Sequence, residues 1–448
     1  DHNLSARPLG AASRWWLDQS LRALDGRLKT HGAKLIVQQG NALTILKKLS
    51  EQINVKTIYC GQTFEPVCEA FDASFEAKTG IGLKAFNTRL LAEPGDVLTG
   101  DQQIYRVFTP FYRALVARGF TEGVKVKALP AHWPAPSQWP HSLNIDELNL
   151  QPALTPSGHN WAEGFDIWTP GEVGAHQRLR SFIEDGLKGY EPGRDRPDLD
   201  LTSHLSPHLR FGEISPHRIL YELQRAAETQ VWLQPGLEKF RSELAWRDFS
   251  YNILKLKPNL HVENVKPQFD AMPWRDDPKG LRNWQKGQTG YGLVDAGMRE
   301  LWQTGYMHNR VRMVCASFLT KHLLIDWRLG EQWFWDTLVD ADPASNPASW
   351  QWVAGSGADA APYFRIFNPL TQAEKFDPKA LYRRKYISGF SENYGLTSTK
   401  PRQKFEQDLL DFAGIDVNAD APSGGMIVDH SFARQRALDA YAQLKTSD

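Results

Sequence analysis

Hydrophobic and polar positions alternate in two different rhythms along these 448 residues, and the change of rhythm divides the chain. Up to about residue 125, short apolar runs are interleaved with amphipathic stretches. Trp15 to His31 carries its apolar residues at helical spacing, Lys34 to Gln39 reads as a buried strand, and Asn41 to Glu51 as a helix again. Thr57 to Cys60 gives a second strand and Phe64 to Thr79 a further helix. Strands alternating with helices predict a parallel, doubly wound sheet. From about 123 to 170, Pro, Ser and Trp interrupt both periodicities, as in Ala128-Leu-Pro-Ala-His-Trp-Pro-Ala-Pro136, so this part reads as a connector. After Thr169-Pro170 the helical period dominates, with helices predicted over Glu172–Tyr190, Ser215–Glu228, Leu237–Leu256 and Val311–Asp326. The pattern therefore predicts an α/β domain with a parallel sheet over 1–123, a connector over 124–168, and a larger all-α domain over 169–448.

Charge narrows little. Lys plus Arg and Asp plus Glu both number 52, so any surface for a polyanion has to be local. Cys60, Cys68 and Cys315 match neither a disulfide framework nor a zinc site, which points to a reducing cytoplasm. No basic-then-apolar leader opens the chain and no apolar run approaches the about 18 residues of a bilayer span, so a soluble protein without a membrane partner is expected. Tryptophan is what stands out: ten of the 16 lie between Trp232 and Trp352. Such a concentration suits a large helical core, a redox cofactor served by indoles, or a surface on which bases stack.

Four segments carry candidate chemistry. Thr202-Ser-His-Leu-Ser206 precedes Pro207, and its hydroxyls suit either ordinary helix capping or phosphate oxygens at a helix entrance. Glu243, Trp246, Arg247 and Ser250 share one helical face, which fits a salt-bridged exposed helix as well as the wall of a polar pocket. Met307-His-Asn-Arg-Val-Arg-Met313 opens a helix with two arginines and an amide, a cap or an anion site. Asp340-Ala-Asp-Pro-Ala-Ser-Asn-Pro-Ala-Ser-Trp-Gln-Trp352 is too rich in Pro and Ser to be regular; its acids lack EF-hand spacing, so no metal is expected, and carboxylates equally accept ribose hydroxyls or ring N–H groups.

Taken together, Thr202 to Ser206, Trp246-Arg247, Gly305-Tyr-Met-His-Asn-Arg310, Asp326-Trp327-Arg328, Trp350-Gln-Trp352 and Ala360-Ala-Pro-Tyr-Phe-Arg-Ile-Phe-Asn-Pro369 stand in the order and spacing of the photolyase/cryptochrome family, which the sequence resembles over essentially its whole length. Ser345-Asn-Pro-Ala-Ser349 and Gly355-Ser-Gly357 are similar to the bacterial class III branch of cyclobutane pyrimidine dimer photolyases. The resemblance implies an FAD folded back on itself in the helical domain. Tyr190, Thr202, Ser203, His204, Leu205 and Ser206 match positions around its phosphates and ribityl chain; Arg247, His308, Arg312, Asp340, Ala341 and Asp342 match those around the isoalloxazine and adenine. Asn346 matches the residue facing flavin N5, where plant cryptochromes carry an acid, so it favours repair over a cryptochrome-type photoreceptor, the alternative reading.

Glu243, Trp246, Asn309, Met313 and Trp352 match the pocket for the flipped-out dimer, with both indoles stacking on pyrimidines and Glu243 bonding a base. Asn309 replaces the histidine of (6-4) photolyases and so implies cyclobutane dimers. Trp350, Trp327 and Trp274 match the chain of indoles that carries electrons to oxidised flavin. Damaged DNA is the implied partner, with phosphate contacts expected from Arg310, Gln372, Lys321 and the basic stretch Lys375 to Lys385; Lys379, Arg383, Arg384 and Lys385 read equally as a solvated surface. A monomer acting in the bacterial cytoplasm is expected. Relative to the family the chain opens inside or after the first strand–helix unit, so the first strands of the sheet are expected to be missing. Glu65, in Thr63-Phe-Glu-Pro66, lies near a position that binds folate in some relatives, so methenyltetrahydrofolate is the implied antenna, although the surrounding string differs.

Overall fold

A computed structural model describes residues 7–119, 133, 135–153, 160–359, 364–391, 394–395 and 425–445. The chain divides into two compact units. The first is drawn from Asp1–Gln151, Trp168–Glu191 and Ser203–Pro258, the second from Pro152–Ile167, Pro192–Thr202 and Asn259–Asp448.

In the first unit, strand β1 (Thr57–Gly61) pairs in parallel with β2 (Gly82–Phe86), with Thr57 opposite Gly82 and Gly61 opposite Phe86. The crossover is the helix Pro66–Thr79, started by a proline in its first turn and stopped by Gly80 at φ 72°. Lys34–Gln39, expected as a strand, belongs to no ladder. Its bonds go instead to the connector: Leu143 N–H donates to Val37 O at 2.9 Å, Val37 N–H to Ser142 Oγ at 2.9 Å, and the Gln38 amide to His141 O. One backbone bond flanked by side-chain bonds is too little repetition for a sheet. The helix Ala11–Thr30 buries Trp16 fully, and its indole N–H donates to Glu213, which also meets His208. The 23-residue helix Gln234–Leu256 packs on the helix Phe108–Arg118 through Phe249, Phe108 and Phe111. Two bonds tie the loop after β2 to it: Ala92 N–H to Asp248 and Gly95 N–H to Asn252 Oδ1, each 2.9 Å.

The second unit is helical around one core containing Trp284, Tyr291, Phe318, Trp327 and Trp350. Its central helices are Gly292–Thr304, Asn309–Ser317, Trp327–Thr337 and Ser345–Ala354; the last corrects the expectation of an irregular stretch up to Trp352, because Pro347 falls in the first turn, where a proline is tolerated. The helix predicted over Val311–Asp326 starts two residues earlier, after His308 caps it, passes into a wider turn over Phe318–His322, and stops before Leu324, whose φ is 57°. The one predicted over Glu172–Tyr190 contains a similar wide turn at Phe182–Gly186. Among its described residues the connector holds short 3-10 turns at Ile145–Leu148 and Trp161–Ile167; most of Ala128–Pro136 lies outside the described residues, as do Ala360–Tyr363. Among the described residues no helix is long and apolar enough to cross a membrane.

Candidate flavin and DNA site

The first unit carries Tyr190, Ser203 to Ser206, Glu243, Trp246 and Arg247. Ser206 opens a short helix, Ser206–Phe211, that the sequence pattern did not reveal, and Leu205 is buried beneath it. His204 sits at φ 52°, a left-handed conformation a non-glycine residue adopts at a cost, and Ser203 Oγ accepts the Leu205 N–H at 3.3 Å. Ser203 and Ser206 thus stand on a bent, tightly determined loop. Tyr190 is buried edge-on against Phe182 and Phe240.

On the long helix, the Trp246 indole lies flat on Phe108, with centroids 3.7 Å apart and planes 7° apart, and Phe249 meets it edge-on. Phe108 is itself backed by Tyr112. An indole held by its underside is a fixed platform, and Phe108 is a participant that sequence reasoning missed because it lies far away in the chain. Glu243 pairs with Lys239 one turn back at 3.2 Å, the arrangement of a salt-bridged helix face. Arg247 donates to the backbone oxygens of Arg89 and Leu209 and lies over Tyr251.

The second unit carries Thr202 and the remaining flavin and DNA candidates, while Glu65 lies in the first. His308 is buried, its Nδ1 accepts Arg310 N–H at 3.2 Å, and Asn309 beside it is exposed. Arg310 is drawn to Asp195 at 2.7 Å and lies 4.6 Å over the Phe376 ring. Arg312 reaches Met307 O and Asp340, at 2.7 and 2.9 Å. Burial works against that guanidinium, but Asp340 and the Tyr306 phenol beside it outweigh burial and raise its pKa. Asp342 spends one oxygen on the N–H groups of Ala344 and Ser345, starting the helix that bears Asn346, Trp350 and Trp352, while Ala341 is buried. The Trp352 indole N–H donates to Asp359 O at 3.1 Å, and Met313 and Gln372 are half-buried.

Asn346 is nearly buried, and its amide nitrogen donates to both the carboxylate and the backbone oxygen of Glu331. A legible signal for Glu331 existed: it lies one turn from both Trp327 and Trp335, on the apolar stripe of its helix. Trp350 and Trp327 are buried and Trp274 is half-buried. Trp350 packs edge-on against Trp284 and Phe334, and the Trp327 indole N–H donates to Asn264 at 3.0 Å.

Lys321 requires a correction. Expected on DNA phosphates, it is 1 % exposed, donates to Ala354 O at 2.5 Å and lies 3.1 Å over the Phe364 ring, and burial pushes its pKa well down. The wide turn at Phe318–His322 rotates it into the core. Lys375, Lys379, Arg384 and Lys385 are exposed, whereas Arg383 closes on Asp377 at 2.9 Å.

Within the second unit the donor set suits a flavin dinucleotide: carboxylates at Asp340 and Asp342, and an amide at Asn346 whose carbonyl remains the acceptor end. Residues 240–443 match the FAD-binding domain of DNA photolyase, and residues 1–135 match the DNA photolyase domain. The chain belongs to the DNA photolyase family. It is 45% identical over 449 residues to the deoxyribodipyrimidine photo-lyase of Agrobacterium fabrum, covering 98% of this chain and 91% of that protein. Among solved structures it is similar to a bacterial class III photolyase from Agrobacterium tumefaciens, with TM-score 0.87, 44% identity and coverage of 99% and 90%. It is also similar to a Synechocystis cryptochrome, with TM-score 0.77, 28% identity and coverage of 96% and 89%.

Proposed function

We propose that this chain is a deoxyribodipyrimidine photo-lyase that repairs cyclobutane pyrimidine dimers in DNA with FAD as its cofactor. The observation that carries the reading is the fixed Asn346 amide. With its N–H groups held by Glu331, its oxygen is the end offered to a ligand, and an acceptor there matches the N–H that reduced, not oxidised, flavin carries at N5. Reduced FAD, when bound, supplies the electron that opens the cyclobutane ring under blue light and then recovers it.

The protein's own residues hold and orient. Thr202, Ser203 and Ser206 serve the phosphates, with Tyr190, His204 and Leu205 shaping their loop. Arg247, His308, Arg312, Asp340, Ala341 and Asp342 line the rings. Trp246 and Trp352 each present an indole to an extruded pyrimidine, Glu243 accepts from a base, and Asn309 and Met313 select the cyclobutane lesion. Extrusion costs a few kcal/mol, less for a lesion that already weakens stacking. Arg310, Gln372 and the exposed cations from Lys375 to Lys385 serve the DNA backbone, and Trp274, Trp327 and Trp350 relay electrons to oxidised flavin. In this reading residues 1–123 form the antenna domain, with Glu65 near a methenyltetrahydrofolate, 124–168 the connector and 169–448 the catalytic domain; the protein acts as a cytoplasmic monomer.

The test is direct. Protein loaded with FAD and chemically reduced is mixed with an oligonucleotide bearing a thymine dimer; dimers should disappear under blue light and persist in the dark. Equal dimer content in both arms would sink the proposal.

A further inference from the structure

The turn between the helices Gly292–Thr304 and Asn309–Ser317 is pinned from several sides. Gly305, at φ 66°, lies so close to Val339 and Phe165 that a Cβ there would approach them to 2.7 and 2.9 Å, and its oxygen accepts Val339 N–H at 2.8 Å. Thr304 Oγ1 donates to Glu300 O at 2.7 Å and accepts Tyr306 N–H at 3.2 Å. The far end is held by one carboxylate. Glu300, 7 % exposed, accepts His308 N–H at 3.1 Å and the Tyr382 hydroxyl at 2.5 Å on Oε2, and the Tyr386 hydroxyl at 3.3 Å on Oε1.

A buried carboxylate is costly unless donors surround it, and an apolar residue of similar volume often packs as well or better. The three donors here come from two separate elements, the His308 turn and the helix Leu381–Tyr386. That helix turns Tyr382 and Tyr386 inward and leaves Arg384 and Lys385 exposed. Burial, reinforced by Glu300, pushes both phenols well above their usual range, so they remain donors at any working pH. On the other side of the His308 amide, Asn309 is flanked by His308, whose ring caps the helix, and by Arg310, held on Asp195 and Phe376. The exposed Asn309 therefore has its backbone fixed at both neighbours.

We infer that Glu300, through Tyr382 and Tyr386, is a positioning residue for lesion recognition: it fixes the His308–Asn309 turn and ties that turn to the cationic helix that would meet the DNA backbone. This rests on Asn309 being a lesion contact, as proposed above. Glu300 itself touches no substrate in this scheme; it acts through the amide it holds.

The experiment uses FAD-loaded full-length protein in the dark and measures the preference for dimer-containing over undamaged oligonucleotide. Glu300→Ala and the double variant Tyr382→Phe/Tyr386→Phe should each lower that preference about tenfold, the size of one lost bond to a charged group. Each variant is compared at equal flavin loading, and its affinity for undamaged DNA is the denominator of the preference. Glu300→Gln should recover most of the preference, because its carbonyl still accepts the His308 N–H. If Glu300→Ala does not fold, the tyrosine double variant, which lacks only two hydroxyls, carries the test. An unchanged preference in the tyrosine double variant, with Asn309→Ala losing it, overturns the role of Glu300 and leaves the lesion contact standing. An unchanged preference in Asn309→Ala overturns both.

Discussion

The side-chain amide of Asn346 is locked by Glu331: its nitrogen lies 2.7 Å from Oε1 and 3.1 Å from the backbone oxygen of that residue. An amide without such a partner turns over easily, exchanging donor for acceptor; this one cannot without losing two bonds. Glu331 is 1 % exposed, so the same bond also serves its buried carboxylate.

Asn346→Ala should therefore act twice. Loss of the bond to the buried Glu331 carboxylate should lower stability by about 1–3 kcal/mol, read from urea melts. Loss of one bond to reduced flavin, about 1 kcal/mol, should lower the two-electron potential of the bound flavin by roughly 20 mV. An unaltered potential would show that the amide does not face the flavin.

Phe108 lies under the Trp246 indole at 3.7 Å and should be needed to hold its plane. Phe108→Ala should destabilise the protein by about 3–5 kcal/mol. Phe108→Leu keeps most of the volume but not the stack, and should weaken binding of dimer-containing DNA roughly fivefold through lost aromatic packing. Equal affinities for wild type and Phe108→Leu would refute this role.

Gly330 lets Trp350 nest against the helix Trp327–Thr337: a Cβ there would lie 2.2 Å from Trp350 Cη2 and 2.5 Å from Leu319 Cδ2. Gly330→Ala should displace the indole, cost about 1–3 kcal/mol by overpacking, and slow photoreduction of oxidised FAD. Trp274→Phe should slow photoreduction without the stability loss. Both variants, reduced chemically beforehand, should repair nearly as well as wild type; a matching loss of repair would place these residues in the repair step instead.

Asp248 is buried under the loop it anchors, and burial pushes its carboxyl up to about 7 against the bonds from Ala92 and Leu91. Between its ordinary value of 3.8 and about 7 the native protein holds a proton the unfolded chain has released. Stability should then fall as pH rises through this window, by at most about 1.4 kcal/mol per unit from this group. Asp248→Asn keeps an oxygen for the Ala92 N–H and removes the cost, so it should be more stable than wild type at pH 8 and equal to it near pH 4. Parallel melting curves at both pH values would contradict this.

Much of this protein was readable from order and spacing along the chain. The helical second half followed from its periodicity, because a helix face is a local property of residues three and four apart. Thr202–Ser206, His308–Asn309, Asp340–Asn346 and the tryptophans of the last helices were visible as chemistry-bearing strings for the same reason. What the sequence could not supply was partnership at a distance. Lys34–Gln39 has strand composition, yet its bonds went to His141–Leu143; Lys321 has the look of a surface cation, yet a wide turn moved it into the core. Phe108 beneath Trp246, Glu331 behind Asn346 and Glu300 behind His308 all lie eight to well over a hundred residues from what they hold. Local sequence chooses which groups are available, while the direction in which an amide, an indole or a carboxylate is fixed depends on packing and hydrogen bonds that only the folded chain brings together.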